Sequence, residues 1–170
     1  MKFEESGKIY HETGEKMYEA YSLDYAGNIS NLLGEKQKAR EFFNQALLLV
    51  RAVGNKKEES ILLNKLGLLA SFFGEKQKAL EFYNQALLLH KELADKNGEA
   101  IVLNNIGAIY DDLGDNQKAL EFYNQALSIS KTSGNKNGEA IALGNIGSIY
   151  SGIGEKQKAL EYFNQALVAA

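Results

Sequence analysis

The sequence contains no cysteine, no proline and no tryptophan in its 170 residues. The absence of cysteine excludes a disulfide framework, thiolate metal ligands and a cysteine nucleophile. Because proline breaks the interior of a helix, its absence is compatible with long uninterrupted helices. Apolar runs are also short, and the run at residues 46–50 is far below the length that spans a bilayer. No apolar signal-peptide core follows the first methionine.

Charge is close to balanced, with 22 acidic and 19 basic residues and a net charge of −3. A nucleic-acid or anionic-membrane surface needs clustered positive charge, which this composition does not provide. Hydrophobic residues make up 45% of the chain, a value typical of a folded soluble protein rather than a disordered tail. We therefore expect a cytoplasmic protein without a nucleic-acid or membrane partner.

An internal repeat of 40 residues organises the chain. The segment at residues 34–47 returns at residues 74, 114 and 154, and nine of its 14 positions are identical in all four copies. A hydrophobic residue followed by glycine recurs in phase at Gly67, Gly107 and Gly147. Repeats of this length are supersecondary units that stack to build a shared core.

The residue pattern of each period predicts two helices. Small or apolar residues at Leu103, Ile106, Gly107 and Tyr110 have the spacing of one helical stripe. Gly114 then supplies the left-handed conformation that ends a helix. The pattern predicts an all-α fold of about nine antiparallel helices. They form an orphan helix at residues 1–19, in the register of a preceding second helix, and four pairs at residues 20–59, 60–99, 100–139 and 140–170, the last truncated.

The residue pattern resembles the tetratricopeptide repeat family, although 40 residues exceeds its usual 34. Alanines recur at residues 39, 79, 119 and 159 and at residues 46, 86, 126 and 166, and an aromatic residue stands at 43, 83, 123 and 163. Leucine replaces the family's tryptophan, and lysine or asparagine replaces the aromatic near the start of the second helix. The longer period is similar to the repeats of spindle-orientation adaptors, kinesin light chains and bacterial arrays. The resemblance implies a right-handed α-α superhelix that acts as a peptide-binding scaffold.

In this family the exposed face of each first helix lines a concave groove. The residues predicted to lie there are Tyr21, Asp24, Tyr25, Asn28, Asn64, Lys65, Leu68, Asn104, Asn105, Asp111, Asp112, Asn145 and Ser148. Asparagine amides both donate and accept hydrogen bonds, so recurring amides can hold a peptide backbone. The family's groove asparagine carries over to Asn105 and Asn145 only. The alternative is that an exposed helix face simply holds polar residues.

The groove prediction leads to a partner of neutral or basic charge. Only Lys65 is placed to bind a carboxylate, and Asp24, Asp111 and Asp112 share the predicted surface, which argues against a carboxylate clamp. Tyr21 and Tyr25, with Tyr18, could anchor a partner side chain. Packing against the orphan helix explains these tyrosines equally well.

No catalytic, cofactor-binding or metal-binding residue is predicted, so we expect a protein that is not an enzyme. His11 and His90 lie in different repeats, without a carboxylate pattern around them. Two further functions remain as alternatives. One is a structural array that associates end to end or by helix exchange through uncapped termini, and the other is a regulatory segment of a larger protein.

Overall fold

The computed structural model describes the backbone of residues 2–169 and the side chains of residues 12–169. This part of the chain folds entirely into α-helices and turns, with no strand in the described residues. The eight helices are α1 (Lys2–Leu32), α2 (Lys36–Ala52), α3 (Lys56–Phe72), α4 (Lys76–Glu92), α5 (Lys96–Asp112), α6 (Asn116–Ser133), α7 (Lys136–Gly152) and α8 (Lys156–Ala169). The predicted all-α fold is confirmed.

Short turns separate the helices, and capping residues set where the first helix of a pair begins. The side chains of Asn55, Asp95 and Asn135 accept hydrogen bonds from the backbone N–H three residues further on, at 3.2, 3.0 and 2.9 Å. Such a bond satisfies an N–H that the helix itself leaves without an acceptor. The helices α3, α5 and α7 therefore start at the same point of each 40-residue period.

The eight helices of the described residues are close to the predicted count of about nine, and the difference arises because residues 2–19 and the first helix of repeat 1 form a single helix, α1. The 40-residue register places Gly14 at the repeat position of Gly54 and Gly134, which predicts that the residues before it form a separate helix. The residue after Gly14 is Glu15, at the place where Asn55 caps α3. That difference alone does not account for the continuous helix, because Glu35 follows Gly34 at a turn and begins α2 without a side-chain cap. Gly14 itself does not adopt the positive φ of the glycines at the turns. In the same register Phe3 stands at the aromatic position and Ser6 at the alanine position of a second helix. Both residues lie outside the described side chains.

Two compact units make up the chain, Met1–Leu89 (unit 1) and His90–Ala170 (unit 2). In unit 1, α1 packs against α2 and α2 against α3. In unit 2, α5 packs against α6, α6 against α7 and α7 against α8. None of the helices in the described part is both long and apolar enough to cross a membrane.

Within each helix pair, glycine lets an aromatic ring cross close to the facing backbone. A Cβ added to Gly67 would lie 2.5 Å from Cε1 of Tyr83, and one added to Gly107 would lie 2.7 Å from the Tyr123 ring. Both tyrosine side chains are buried. The recurring glycine and aromatic positions are thus one structural requirement, since the ring fills the space that a Cβ would take.

The turn between α4 and α5 departs from the other turns in one residue. Ala94 adopts the left-handed conformation, with φ of 53°, where the corresponding turns have Gly54 and Gly134. This conformation costs an L-residue about 1–2 kcal/mol, and glycine avoids that cost but loses more chain entropy on folding. Ala94→Gly is therefore expected to raise the free energy of unfolding by about 0.5–1 kcal/mol. Urea denaturation measures this change, and a lower midpoint for the variant would contradict it.

Candidate functional site

A polar and apolar pocket on unit 1 gathers several of the predicted groove residues. Its volume is about 210 Å³, and it lies where α1, α3 and the start of α2 meet. We call it the lysine pocket. Its lining comprises Asn28, Asn31, Lys36, Phe43, Lys65, Leu68, Leu69 and Phe72. Amide, ammonium and apolar groups therefore face one small volume.

One wall of the lysine pocket is an ion pair between neighbouring first helices. Lys65 Nζ lies 2.5 Å from Asp24 Oδ1, and both side chains are about one-quarter exposed at 24%. Asn28 Nδ2 donates to the other carboxylate oxygen of Asp24 at 3.2 Å. The ammonium also lies 5.3 Å from the centroid of the Phe43 ring. Lys65 is thus held at the site with its charge already matched.

The second wall is Lys36, which the prediction did not include among the groove residues. Its Nζ donates to the side-chain oxygen of Asn31 at 2.6 Å and to the backbone oxygen of Asn31 at 3.1 Å. It also lies 5.4 Å from the centroid of the Phe72 ring. The sequence contained an indication of this role, because Lys36 occupies the position where shorter repeats of this kind have an aromatic residue.

The other predicted residues of unit 1 lie outside the lining of the pocket. Tyr21 and Tyr25 are exposed on α1, and Asn64 is half-buried on α3. The backbone of α1 runs as one helix from Lys2 to Leu32.

In unit 2 the structure corrects the placement of Asn104. This residue is 7% exposed, so its amide does not face solvent. Its Nδ2 donates to the backbone oxygen of Ala100 at 3.2 Å, and its Oδ1 accepts from Nδ2 of Asn145 at 3.4 Å. The hydrogen bond between the two amides joins α5 to α7. It stands at the repeat positions where the Asp24–Lys65 ion pair joins α1 to α3 in unit 1. A helical wheel for one helix cannot show that the next helix covers the residue.

The remaining predicted residues of unit 2 lie at or near the surface. Asp111, Asp112 and Ser148 are exposed, whereas Asn105 and Asn145 are half-buried. The hydroxyl of Ser148 donates to the backbone oxygen of Gly144 at 3.1 Å. Burial, and then the charges of the two aspartates, raise the pKa of Tyr123 to about 12. This surface is therefore acidic and lies above a buried tyrosine.

The described residues contain no group of three or more His, Cys, Asp or Glu side chains that could hold a metal ion. His90 is buried, and its Nδ1 lies 2.9 Å from Oδ2 of Asp95. Asp95 also caps α5 through its other carboxylate oxygen. The role of this pair is structural, because it joins the end of α4 to the start of α5.

The fold and the repeated packing define a helical repeat protein. The sequence matches the tetratricopeptide repeat family over residues 16–92, 78–132 and 98–169. The chain therefore belongs to the tetratricopeptide repeat family, and the predicted family is confirmed. Members of this family are generally non-enzymatic protein-interaction scaffolds. A comparison with curated proteins finds no match.

Solved structures share this fold. BtubC (BKLC) from P. vanneervenii is 22% identical with a TM-score of 0.78, and the match covers 88% of this chain and 62% of BtubC. The apo form of RapI is 20% identical with a TM-score of 0.81, and the match covers 91% of this chain and 56% of RapI. The nearly identical TPR-like repeats of a Podospora anserina kinesin light chain are 16% identical with a TM-score of 0.71, covering 88% and 74%. These likenesses establish the fold alone.

Proposed function

We propose that the chain is a scaffold that binds a peptide segment of a partner protein, and that the lysine pocket takes one side chain of that segment. The observation that carries the proposal is the convergence of amides, ammonium groups and apolar side chains on one pocket of about 210 Å³. Pockets of mixed character bind by burying apolar area, while a few polar groups fix the orientation of the ligand.

The polar groups of the pocket favour a side chain that ends in an oxygen acceptor. Asn28 and Lys36 offer N–H donors, and the charge of Lys65 is matched by Asp24. Leu68 and Phe72 are exposed beside these donors and can cover the aliphatic part of the same side chain. A glutamine or asparagine side chain, or a backbone carbonyl, satisfies these donors without adding a charge.

For unit 2, we propose that Asn105, Asn145, Ser148, Asp111 and Asp112 form a second surface for partner binding. The two exposed aspartates favour lysine or arginine in the segment that binds there. A partner of neutral or basic charge is consistent with the surfaces of both units.

Selection of peptides from a random displayed library, followed by calorimetry, tests this function. A selected peptide is expected to bind the wild-type chain with roughly micromolar affinity. Leu68→Glu places a carboxylate at the rim of the lysine pocket and is expected to weaken binding by about tenfold or more. Lys36→Met, which keeps the apolar stem and removes the donor, is expected to weaken peptides that carry an acceptor side chain.

The matched control is Leu48→Glu, because Leu48 is an exposed leucine of α2 that does not line the pocket. Its affinity for the same peptide is expected to equal that of the wild type. Failure to select any binding peptide, or equal losses for Leu68→Glu and Leu48→Glu, would contradict the proposal.

A further inference from the structure

One face of α1 has no packing partner in the described structure. Ile29 is 57% exposed, whereas its counterparts Leu69, Ile109 and Ile149 are 4%, 1% and 3% exposed. Ser22 is likewise exposed at a position where later first helices have buried apolar residues. Inside the chain this side of a first helix packs on the preceding second helix, as α3 does on α2 and α7 on α6. α1 therefore presents a surface that fits a second helix.

Helix α8 presents the complementary surface. Leu167 is 78% exposed and Phe163 is also exposed, whereas Leu127 and Tyr123 of α6 are buried. Over residues 156–167 the sequence differs from residues 36–47 only by Leu160 for Arg40 and Tyr162 for Phe42. α8 thus carries nearly the same residues with which α2 packs against α3.

Two departures from the repeat pattern, Tyr25 and Gly144, also fit a contact between α1 of one copy and α7 of another. Successive first helices touch through fixed positions, Asp24 with Lys65 and Asn104 with Asn145. If α1 of a second copy followed α7, the same two positions would bring Tyr25 to Gly144. A Cβ added to Gly144 meets no atom within 4 Å, and Tyr25 is 71% exposed. The tyrosine ring has open space where the other first helices have aspartate or asparagine.

We infer that the chain self-associates head to tail, with α1 of one copy docking on α7 and α8 of another. Ile29 packs against Phe163 and Leu167 of the second copy, and Tyr25 lies over its Gly144. A cavity of about 370 Å³ is lined by residues of α7 and α8, among them Leu143 and Val168. The two surfaces differ, so the contact is heterologous and continues beyond a dimer unless it closes into a ring.

Sedimentation analysis and light scattering of the 170-residue chain over a range of concentrations test the inference. The wild type is expected to increase in mass with concentration. Ile29→Asp blocks the α1 surface and Leu167→Asp blocks the α8 surface, and each variant alone is expected to remain a monomer. Because each retains the surface that the other lacks, an equimolar mixture is expected to form a one-to-one dimer and to stop there. Leu48→Asp, at an exposed leucine of α2, is expected to behave as the wild type.

Two substitutions that exchange a small and a large side chain test the register of the contact between α1 and α7. Gly144→Leu is expected to raise the dissociation constant by about tenfold, and adding Tyr25→Ala is expected to recover most of that loss. If Tyr25→Ala in unit 1 restores association, the effect of Gly144→Leu comes from the contact between copies and not from damage to unit 2. A wild-type chain that stays monomeric at every concentration would overturn the inference. Self-association of Leu167→Asp alone, or a monomeric mixture, would also overturn it. Peptide binding to the lysine pocket is measured in dilute solution, so its outcome is independent of this one.

Discussion

Phe43→Ala is expected to lower the free energy of unfolding by about 3–5 kcal/mol, the range found when a buried phenylalanine is truncated. The Phe43 side chain is 2% exposed and packs on Gly27 across the first helix pair. Its removal loses the transfer free energy of the ring and leaves a cavity in unit 1. Urea denaturation of dilute protein, followed by circular dichroism, gives the difference.

The same substitution at the same repeat position provides the control. Phe163 is 37% exposed, so Phe163→Ala loses less buried area and opens its space to solvent rather than to a closed cavity. We expect a loss of about 1–2 kcal/mol for this variant. Equal losses for Phe43→Ala and Phe163→Ala would contradict the unequal packing of α2 and α8.

Gly67→Ala and Gly144→Ala are expected to change stability in opposite directions. A Cβ at residue 67 would lie 2.5 Å from Cε1 of the buried Tyr83 ring, so either the ring or the helices must shift. Overpacking of this kind costs about 1–3 kcal/mol, and the better helix propensity of alanine offsets about 1 kcal/mol of it. We expect Gly67→Ala to destabilise by about 1–2 kcal/mol.

At residue 144 only the propensity gain remains, because a Cβ there meets nothing within 4 Å. Gly144→Ala is expected to stabilise the fold by about 0.5–1 kcal/mol. The measurement is urea denaturation at a concentration where the chain is monomeric. The same sign for both substitutions would show that helix propensity, rather than the closeness of the Tyr83 ring, decides the effect.

The prediction from sequence failed at one helix boundary. The register placed a turn at Gly14, but α1 continues through this residue. The six glycines at the turns between helices have φ between 70° and 86°, and Gly14 is not among them. Glycine permits a left-handed turn but does not require one, so its place in the register cannot decide by itself whether a helix ends there.

The predicted groove residues show that the burial of a side chain cannot be predicted from the periodicity of one helix. Helical periodicity placed Asn104 on an exposed face, yet the amide of Asn145 on the next first helix covers it. The same reading left out Lys36, which starts a second helix and still reaches the lysine pocket beside Phe72. Which polar groups share a pocket depends on how neighbouring helices pack. The distance between neighbouring helices cannot be derived from the sequence of one period.

The sequence alone determined the repeat length, the all-α fold and the glycine and aromatic positions at which paired helices cross. Local chemistry sufficed for these features, because left-handed turns, helical stripes and close crossings each demand particular residues at particular spacings. Only the tertiary structure decided which of the nearly identical surfaces have partners. Phe43 and Phe163 occupy the same repeat position, yet one is buried and the other exposed. Burial depends on the neighbouring helix, and α8 has none beyond it in the described chain.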